Sequence, residues 1–399
     1  MDVDLAVVGA GGAGLSLIVH LERLLPAGRR PPAIVLIDPV HRVAEDRTWC
    51  FWDAGSGPLD HLVHRSWRRV AVVDTAGGVR VLDLDPLRYV MIRSADFYAH
   101  AEAAARRLRV TRIAARVHEV GDGVVRAGSE VVRARWVVDS RPAAPRLPAN
   151  TALLQHFRGW AVRFGAETVD PDLPLLMDFS VQQPAQGVGF GYVLPTDPRT
   201  ALVEYTEFSA GRRPSDEYDE ALRAYLRHRL GAAPGGYTVE RVEDGAIPMT
   251  DAVCARRAGP SAFRLGTAGG ATRGSTGYAF AAIQRQASAV AQALIDGQVP
   301  VPPRAYPRRH RWMDAVLLRA LDQGLVAGPT LFADLFARNP PERVLRFLDG
   351  RTTPGEELRL MATTPILPMT RAAAADAVAR VARRIRPLLA GRSGSPRPP

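Results

Sequence analysis

The chain has 399 residues, 47% hydrophobic and 23% charged, with a net charge of +11. These values exclude a mainly disordered, collagen-like or coiled-coil chain and suit two domains, or one large domain with an insert. Two cysteines, Cys50 and Cys254, cannot form a disulfide framework or a Cys-x-x-Cys zinc site, and all 52 basic residues are arginine, which excludes Schiff-base or P-loop lysine chemistry.

Sparse cysteine points to a reducing compartment. No segment has the apolar continuity of a membrane-spanning helix, and the N-terminus lacks the charged leader of a signal peptide. The basic balance suits nucleic acid or an anionic membrane face. With no zinc finger and no RNP-like motif, nucleic acid is not expected. Arginines cluster at Arg308-Arg309-His310-Arg311 and Arg383-Arg384.

Asp4 to Val8 is a short apolar run of the kind buried in a parallel sheet. Gly9-Ala10-Gly11-Gly12-Ala13-Gly14 follows, then Leu15 to Leu25 as a helix, then a second apolar run, Ala33 to Ile37, ending at Asp38. Gly9, Gly11 and Gly14 match G-x-G-x-x-G: a tight turn, room for a pyrophosphate, and close helix–strand packing. The phosphates would sit on free N–H groups at the helix start, and Asp38 is placed for the ribose hydroxyls. Together, strand, turn, helix, strand and acid form a dinucleotide fingerprint. No second fingerprint occurs, since Gly187-Val188-Gly189-Phe190-Gly191 runs on into a strand; that favours a tightly held FAD over a transient NAD.

Val70 to Val90 alternates about a Gly77-Gly78 hairpin turn. Ser94 to Leu108 reads as a helix with Ser94 as N-cap. Arg109 to Val137 alternates in short strands, and Trp136 to Arg141 is an apolar strand expected beside the glycine loop. Phe157 to Val242 reads as sheet with one helix, Ser215 to Leu230. Ala262 to Gly270 is a strand entering a glycine-rich loop, continued by Gly274 to Tyr278 and a helix over Ala279 to Ile295. This second loop suits a flavin edge or phosphate, with Gly266, Gly277 and Tyr278 as candidate contacts. Met313 to Phe336 is apolar and suits either core or a membrane-facing surface.

The division expected is 1–150 for the first part of the nucleotide domain, 151–245 for an inserted, mostly β substrate domain, and 246–300 for the second nucleotide part. Residues 301–390 should be helical and 391–399 a disordered tail.

Over nearly its whole length the chain resembles the flavin-dependent lycopene cyclases of the bacterial β-cyclase type. The residues that carry the resemblance are Gly9 to Asp38, Arg47-Thr48-Trp49-Cys50-Phe51-Trp52, Phe157-Arg158-Gly159-Trp160, Leu176-Met177-Asp178-Phe179, Leu202-Val203-Glu204-Tyr205-Thr206, Gly245-Ala246-Ile247-Pro248-Met249 and Thr276-Gly277-Tyr278. The chain departs at Tyr205, where the family often has an acid, and at Thr267, where many flavoproteins of this fold have aspartate.

The resemblance implies an α/β fold: an FAD-binding Rossmann-like domain of the glutathione-reductase-2 type, as in aromatic hydroxylases, with an inserted β-rich domain and a helical C-terminal region. It implies reduced FAD, NAD(P)H as its reductant, lycopene as substrate, γ-carotene then β-carotene as products, and a peripheral site on the cytoplasmic side of the membrane. No metal is expected. Glu204 falls on the catalytic acidic motif and lies on the apolar strand Ala201-Leu202-Val203-Glu204, where burial would raise its pKa. Alternation alone also allows a solvent-facing Glu204, with Glu207 and Asp178 as the next carboxylates. Trp160, Tyr192 and Tyr278 are candidate aromatic faces for a carbocation. The competing expectation is a flavin-dependent monooxygenase or reductase acting on an isoprenoid.

Overall fold

The apolar N-terminal run is buried on both faces, and that burial makes it the centre of the first sheet. The computed structural model describes residues 1–142 and 147–390; the tail expected at 391–399 lies outside them. In chain order the first half contains β1 (Asp2–Val8), α1 (Gly12–Leu24), β2 (Ile34–Ile37), β3 (Thr48–Asp53), β4 (Arg65–Trp67), β5 (Arg69–Val73), β6 (Val79–Asp83) and β7 (Arg88–Arg93). Then come α2 (Ser94–Arg107), β8 (Thr111–Ile113), β9 (Val117–Val120), β10 (Val124–Ala127) and β11 (Glu130–Asp139). The second half contains β12 (Ala152–Phe164), β13 (Leu175–Asp178), β14 (Val188–Asp197), β15 (Thr200–Ser209), α3 (Ser215–Arg229), β16 (Tyr237–Thr250), β17 (Ala262–Arg264) and α4 (Phe280–Ile295). The chain ends in α5 (Arg308–Asp322), α6 (Gly328–Arg338), α7 (Pro341–Leu348), α8 (Pro354–Met361) and α9 (Ile366–Ala390).

The first sheet runs β8-β2-β1-β11-β10-β9, with β17 beside β11. Its β8, β2, β1, β11 and β17 pairings are parallel, so the glycine turn after β1 opens at the carboxyl edge, where α/β folds bind ligands. Helices α1 and α4 pack together on one face through Leu17, Ile18, Leu21, Ile283, Ala287 and Val290.

The second sheet runs β16-β12-β15-β14-β13-β5-β6. Strands β5 and β6 therefore leave the first 150 residues and join the sheet of the insert, which differs from a division of the chain at residue 150. A third, small sheet runs β3-β7-β4. Ser94 does not cap α2: its hydroxyl accepts the N–H groups of Asp46 and Arg47 and ties down the chain entering β3. Within the apolar stretch 313–336, Met313, Leu318, Leu321, Leu331, Phe332 and Phe336 are buried, so the core alternative holds there. Among the described residues no helix is long and apolar enough to cross a membrane.

Candidate active site

One cavity of about 800 Å³ runs from the glycine loop after β1 to the inner face of the second sheet. Its two ends differ chemically because different elements line them.

At the first end, Gly11 has no atom within 4 Å of where a Cβ would stand, so the backbone there is open to the cavity. Gly14 is the opposite case: a Cβ would lie 2.0 Å from the carbonyl oxygen of Gly9, and only glycine lets α1 approach β1 so closely. Gly9 turns at φ +94°. The first N–H groups of α1 have no acceptor within the helix, and no side chain caps them. Asp38 accepts from Ala10 N–H at 2.7 Å and from Val40 N–H at 2.8 Å. Its carboxylate therefore braces the glycine loop while lining the cavity, with acceptor capacity left over.

The second glycine loop forms the adjoining wall. Gly277 sits at φ +72°, and a Cβ there would stand 2.1 Å from Gln155 Oε1. Gln155 Oε1, Thr272 Oγ1 and Thr276 Oγ1 are buried without a hydrogen-bond partner, and all three residues line the cavity. Unpaired buried polar atoms are costly, so this wall is built for a ligand with polar edges. A dinucleotide with a flat heterocycle fits, its phosphates at Gly11 and its ring edge against Gln155, Thr272 and Thr276. Gly266 does not line the cavity. Its missing side chain instead lets the loop rest on Ala13 of α1, where a Cβ would clash at 2.5 Å, and Thr267 and Gly269 take the wall positions.

At the other end, residues paired across strands share a face, and the register aligns Tyr192, Glu204, Gly159 and Glu243 in one row over β14, β15, β12 and β16. The next row holds Phe190, Thr206, Phe157 and Gly245. Leu202, Phe208 and Ile247 complete an apolar wall. Glu204 is half-buried, and the part left open faces this cavity. Burial, the neighbouring Glu243 carboxylate and a hydrogen bond to it hold the Glu204 carboxyl well above the usual carboxylate range, while Arg241 opposes.

The small sheet closes over this row. Thr48 of β3 donates to Glu243 Oε2 at 3.4 Å, and Arg241 donates to Glu243 at 3.0 Å and to Glu45 at 3.1 Å. Cys50, two residues on, faces the same space, where burial pushes its thiol up. Tyr89 and Tyr192 share a 2.6 Å hydrogen bond between hydroxyls, and burial raises both well above the usual phenol range. Tyr278 is pushed up to about 12, chiefly by burial, and its ring meets Trp52 edge-on at 4.7 Å. Cys50, Tyr89, Tyr192 and Tyr278 are thus neutral at ordinary pH.

Tyr192, Tyr278 and Glu204 therefore meet in one place, as do Gly9, Gly11 and Asp38 at the other end. Trp160 does not join them. It pairs with Val203 and Val242, one residue out of phase with Gly159, and so points to the opposite face. There it is buried under α3, its indole N–H donating to Asp219 at 3.2 Å. The expectation of substrate contact is corrected accordingly. Glu207 and Asp178 face α3 as well, held by Arg213 at 2.6 Å and Arg229 at 2.8 Å. Tyr205 also turns away from Glu204, its hydroxyl donating to Gln182 O at 3.1 Å. Glu243 and Tyr89 were missed in the sequence. The interior glycine at Gly159 was the available signal, because a strand glycine marks a close approach.

A family model described as lycopene cyclase protein matches residues 4–374. The chain is 29% identical over 395 residues to the lycopene beta-cyclase of Pantoea ananas, covering 92% of this chain and 96% of that one. Among solved structures, it resembles p-nitrophenol 4-monooxygenase from Pseudomonas putida DLL-E4 (TM-score 0.58, 15% identity, 95% of this chain and 98% of that one). It also resembles a geranylgeranyl bacteriochlorophyll reductase-like protein from Thermoplasma acidophilum (TM-score 0.57, 12% identity, 93% and 98%). At these identities the likeness is one of fold, the α/β fold of flavin-dependent monooxygenases and reductases, with a helical C-terminal region.

Proposed function

The chain belongs to the lycopene cyclase family, and from that premise we propose that it closes the linear ψ end groups of lycopene into β rings, by way of γ-carotene, as an intramolecular lyase with no net redox change. The observation that carries this is Glu204: a carboxyl held well above the usual carboxylate range on an apolar cavity wall, beside aromatic faces. An alkene is a very weak base. Only an acid that is neutral near pH 7, desolvated and well placed can protonate it.

Glu204 delivers its proton to C2 of the terminal double bond. The cation at C1 is captured by the C5=C6 π pair, which forms the ring bond and moves the charge to C5. Loss of the C6 proton leaves the β ring. Phe157, Phe190, Leu202 and Ile247 exclude water that would trap either cation. The faces of Tyr192 and Tyr278 offer their quadrupoles to the charge.

FAD is the dinucleotide proposed for the polar end, held by Gly9, Gly11, Asp38 and the loops Thr267–Gly270 and Thr276–Tyr278. When bound in its reduced form, renewed by NAD(P)H, it supplies an electron-rich neighbour to positive charge. A polyene is carried in lipid, so we also propose a peripheral position on the cytoplasmic side of the membrane. Exposed Leu358, Met361, Ile366 and Leu367 around the α8–α9 turn, next to Arg359, support this docking.

The test is anaerobic incubation of flavin-loaded protein with lycopene. A cyclic product with the hydrogen count of lycopene is expected. A hydroxylated or saturated product would instead assign the chain to monooxygenase or reductase chemistry.

A further inference from the structure

We propose that Glu243 is the residue with which Glu204 shares a single proton, and that this pair, held by Arg241, keeps the net charge of the site unchanged through the reaction. The chemistry rests on the cyclase reading; the pairing rests on the strand register and on the gap at Gly159.

Glu204 and Glu243 occupy strands on either side of β12, and both pair with Gly159. Strands two apart lie about 9.5 Å from each other, too far for carboxyl groups to meet over an ordinary side chain. At Gly159 that side chain is missing. Glu204 leans across the gap, with Cγ 2.7 Å and Oε1 3.2 Å from where a Cβ would stand, which brings its carboxyl towards that of Glu243.

Two carboxylates are acceptors only and cannot hydrogen-bond without a proton between them. Glu243 already accepts from Arg241 at 3.0 Å and from the Thr48 hydroxyl at 3.4 Å. Glu204 has no such donor, so the proton belongs to its side of the pair. The other groups facing it are Tyr192 of β14, Cys50 of β3 and Tyr278 of the second glycine loop, all kept neutral by burial. Tyr89 reaches it through Tyr192, and Glu45 through Arg241. The charged neighbours are therefore Glu243, Arg241 and, beyond it, Glu45.

The net charge is then the same at every stage. At rest the pair holds one proton and one negative charge, and Arg241 lies between it and the Glu45 carboxylate. When the O–H bond of Glu204 breaks and the C2–H bond forms, the pair becomes doubly negative as the substrate becomes a cation. When the C6–H bond breaks, its electrons form the ring double bond and the proton restores the pair. A carbocation next to a dianion in a low-dielectric wall is strongly favoured over one facing neutral groups. On this account Glu243 is a positioning residue that acts through Glu204.

The test uses flavin-loaded wild type, Glu243→Gln and Arg241→Gln, with Glu204→Gln to assign the signal. The protonated-carboxyl infrared band is titrated without substrate, and turnover is followed against pH. Glu243→Gln should move the Glu204 midpoint, and the alkaline limb of turnover with it, down by about one pH unit or more, with KM little changed. Arg241→Gln should move both upward, and this second variant decides the matter if the first does not fold. A midpoint unmoved in a folded variant overturns the pairing, even if the wild type makes cyclic product. A shifted midpoint in a protein that makes no cyclic product upholds the pairing and overturns the cyclase reading.

Discussion

Gly159 lies beneath the side chain of Glu204, so close that a single added carbon would stand 2.7 Å from Glu204 Cγ. Replacing glycine by alanine in a strand ordinarily helps stability slightly, by about 0.4–1 kcal/mol. Here the overlap reverses the sign, since overpacking costs about 1–3 kcal/mol. Gly159→Ala is expected to lower the urea midpoint and to reduce turnover more than KM, because Glu204 is displaced from Glu243. A variant as stable and as active as wild type would remove the geometric basis of the pair.

The raised Glu204 carboxyl sets a direction for stability against pH. In the unfolded chain it ionises near its ordinary value of 4.5, whereas in the folded protein it holds its proton to a higher pH. Between those values the native state binds more protons, so stability falls as pH rises. Below 4.5 both states are protonated and nothing is lost. Chemical unfolding of wild type and Glu204→Gln should therefore show wild type losing more stability as pH rises above its unfolded value of 4.5. Parallel curves would mean that Glu204 is ionised in the native protein.

Gly11 and Gly14 separate binding from folding. Gly11→Ala meets no protein atom within 4 Å, whereas Gly14→Ala meets the Gly9 carbonyl at 2.0 Å. The Gly11 variant is expected to keep the thermal midpoint of the flavin-free protein and to lose flavin affinity about tenfold or more, because the methyl group fills the space a phosphate needs. The Gly14 variant should lose both. Equal loss of stability in the two would contradict the open approach at Gly11.

The aromatic residues divide by face. Trp160→Phe removes the indole N–H from Asp219, which retains Arg158 at 2.6 Å, and should cost about 1 kcal/mol of stability with KM unchanged. Tyr192→Phe breaks the 2.6 Å bond to Tyr89 beside Glu204 and should lower turnover at similar cost in stability. Steady-state kinetics with thermal unfolding checks both. A large KM rise in Trp160→Phe would put that ring back in the substrate path.

Much of the architecture is local and was legible. The turn at Gly9–Gly14 and Asp38 at the end of β2 follow from spacing, because each glycine answers a contact within its own strand–helix unit. The hairpin at Gly77–Gly78 and the helices beginning near Ser215 and Phe280 follow from alternation and period in the same way. Ser94 misled because a hydroxyl at a helix start can serve a distant chain segment as well as its own helix.

The sequence alone determined that a dinucleotide loop opens the chain and that Glu204 sits on an apolar strand, since both are patterns within a few consecutive residues. Tertiary structure decided which way Glu204 faces, that Trp160 looks the other way, and that Glu243, thirty-nine residues further on, reaches Glu204 over Gly159. A one-residue change of register would move every side chain of a strand to the other face. That register is set by pairing among β12, β15 and β16, which no single strand encodes.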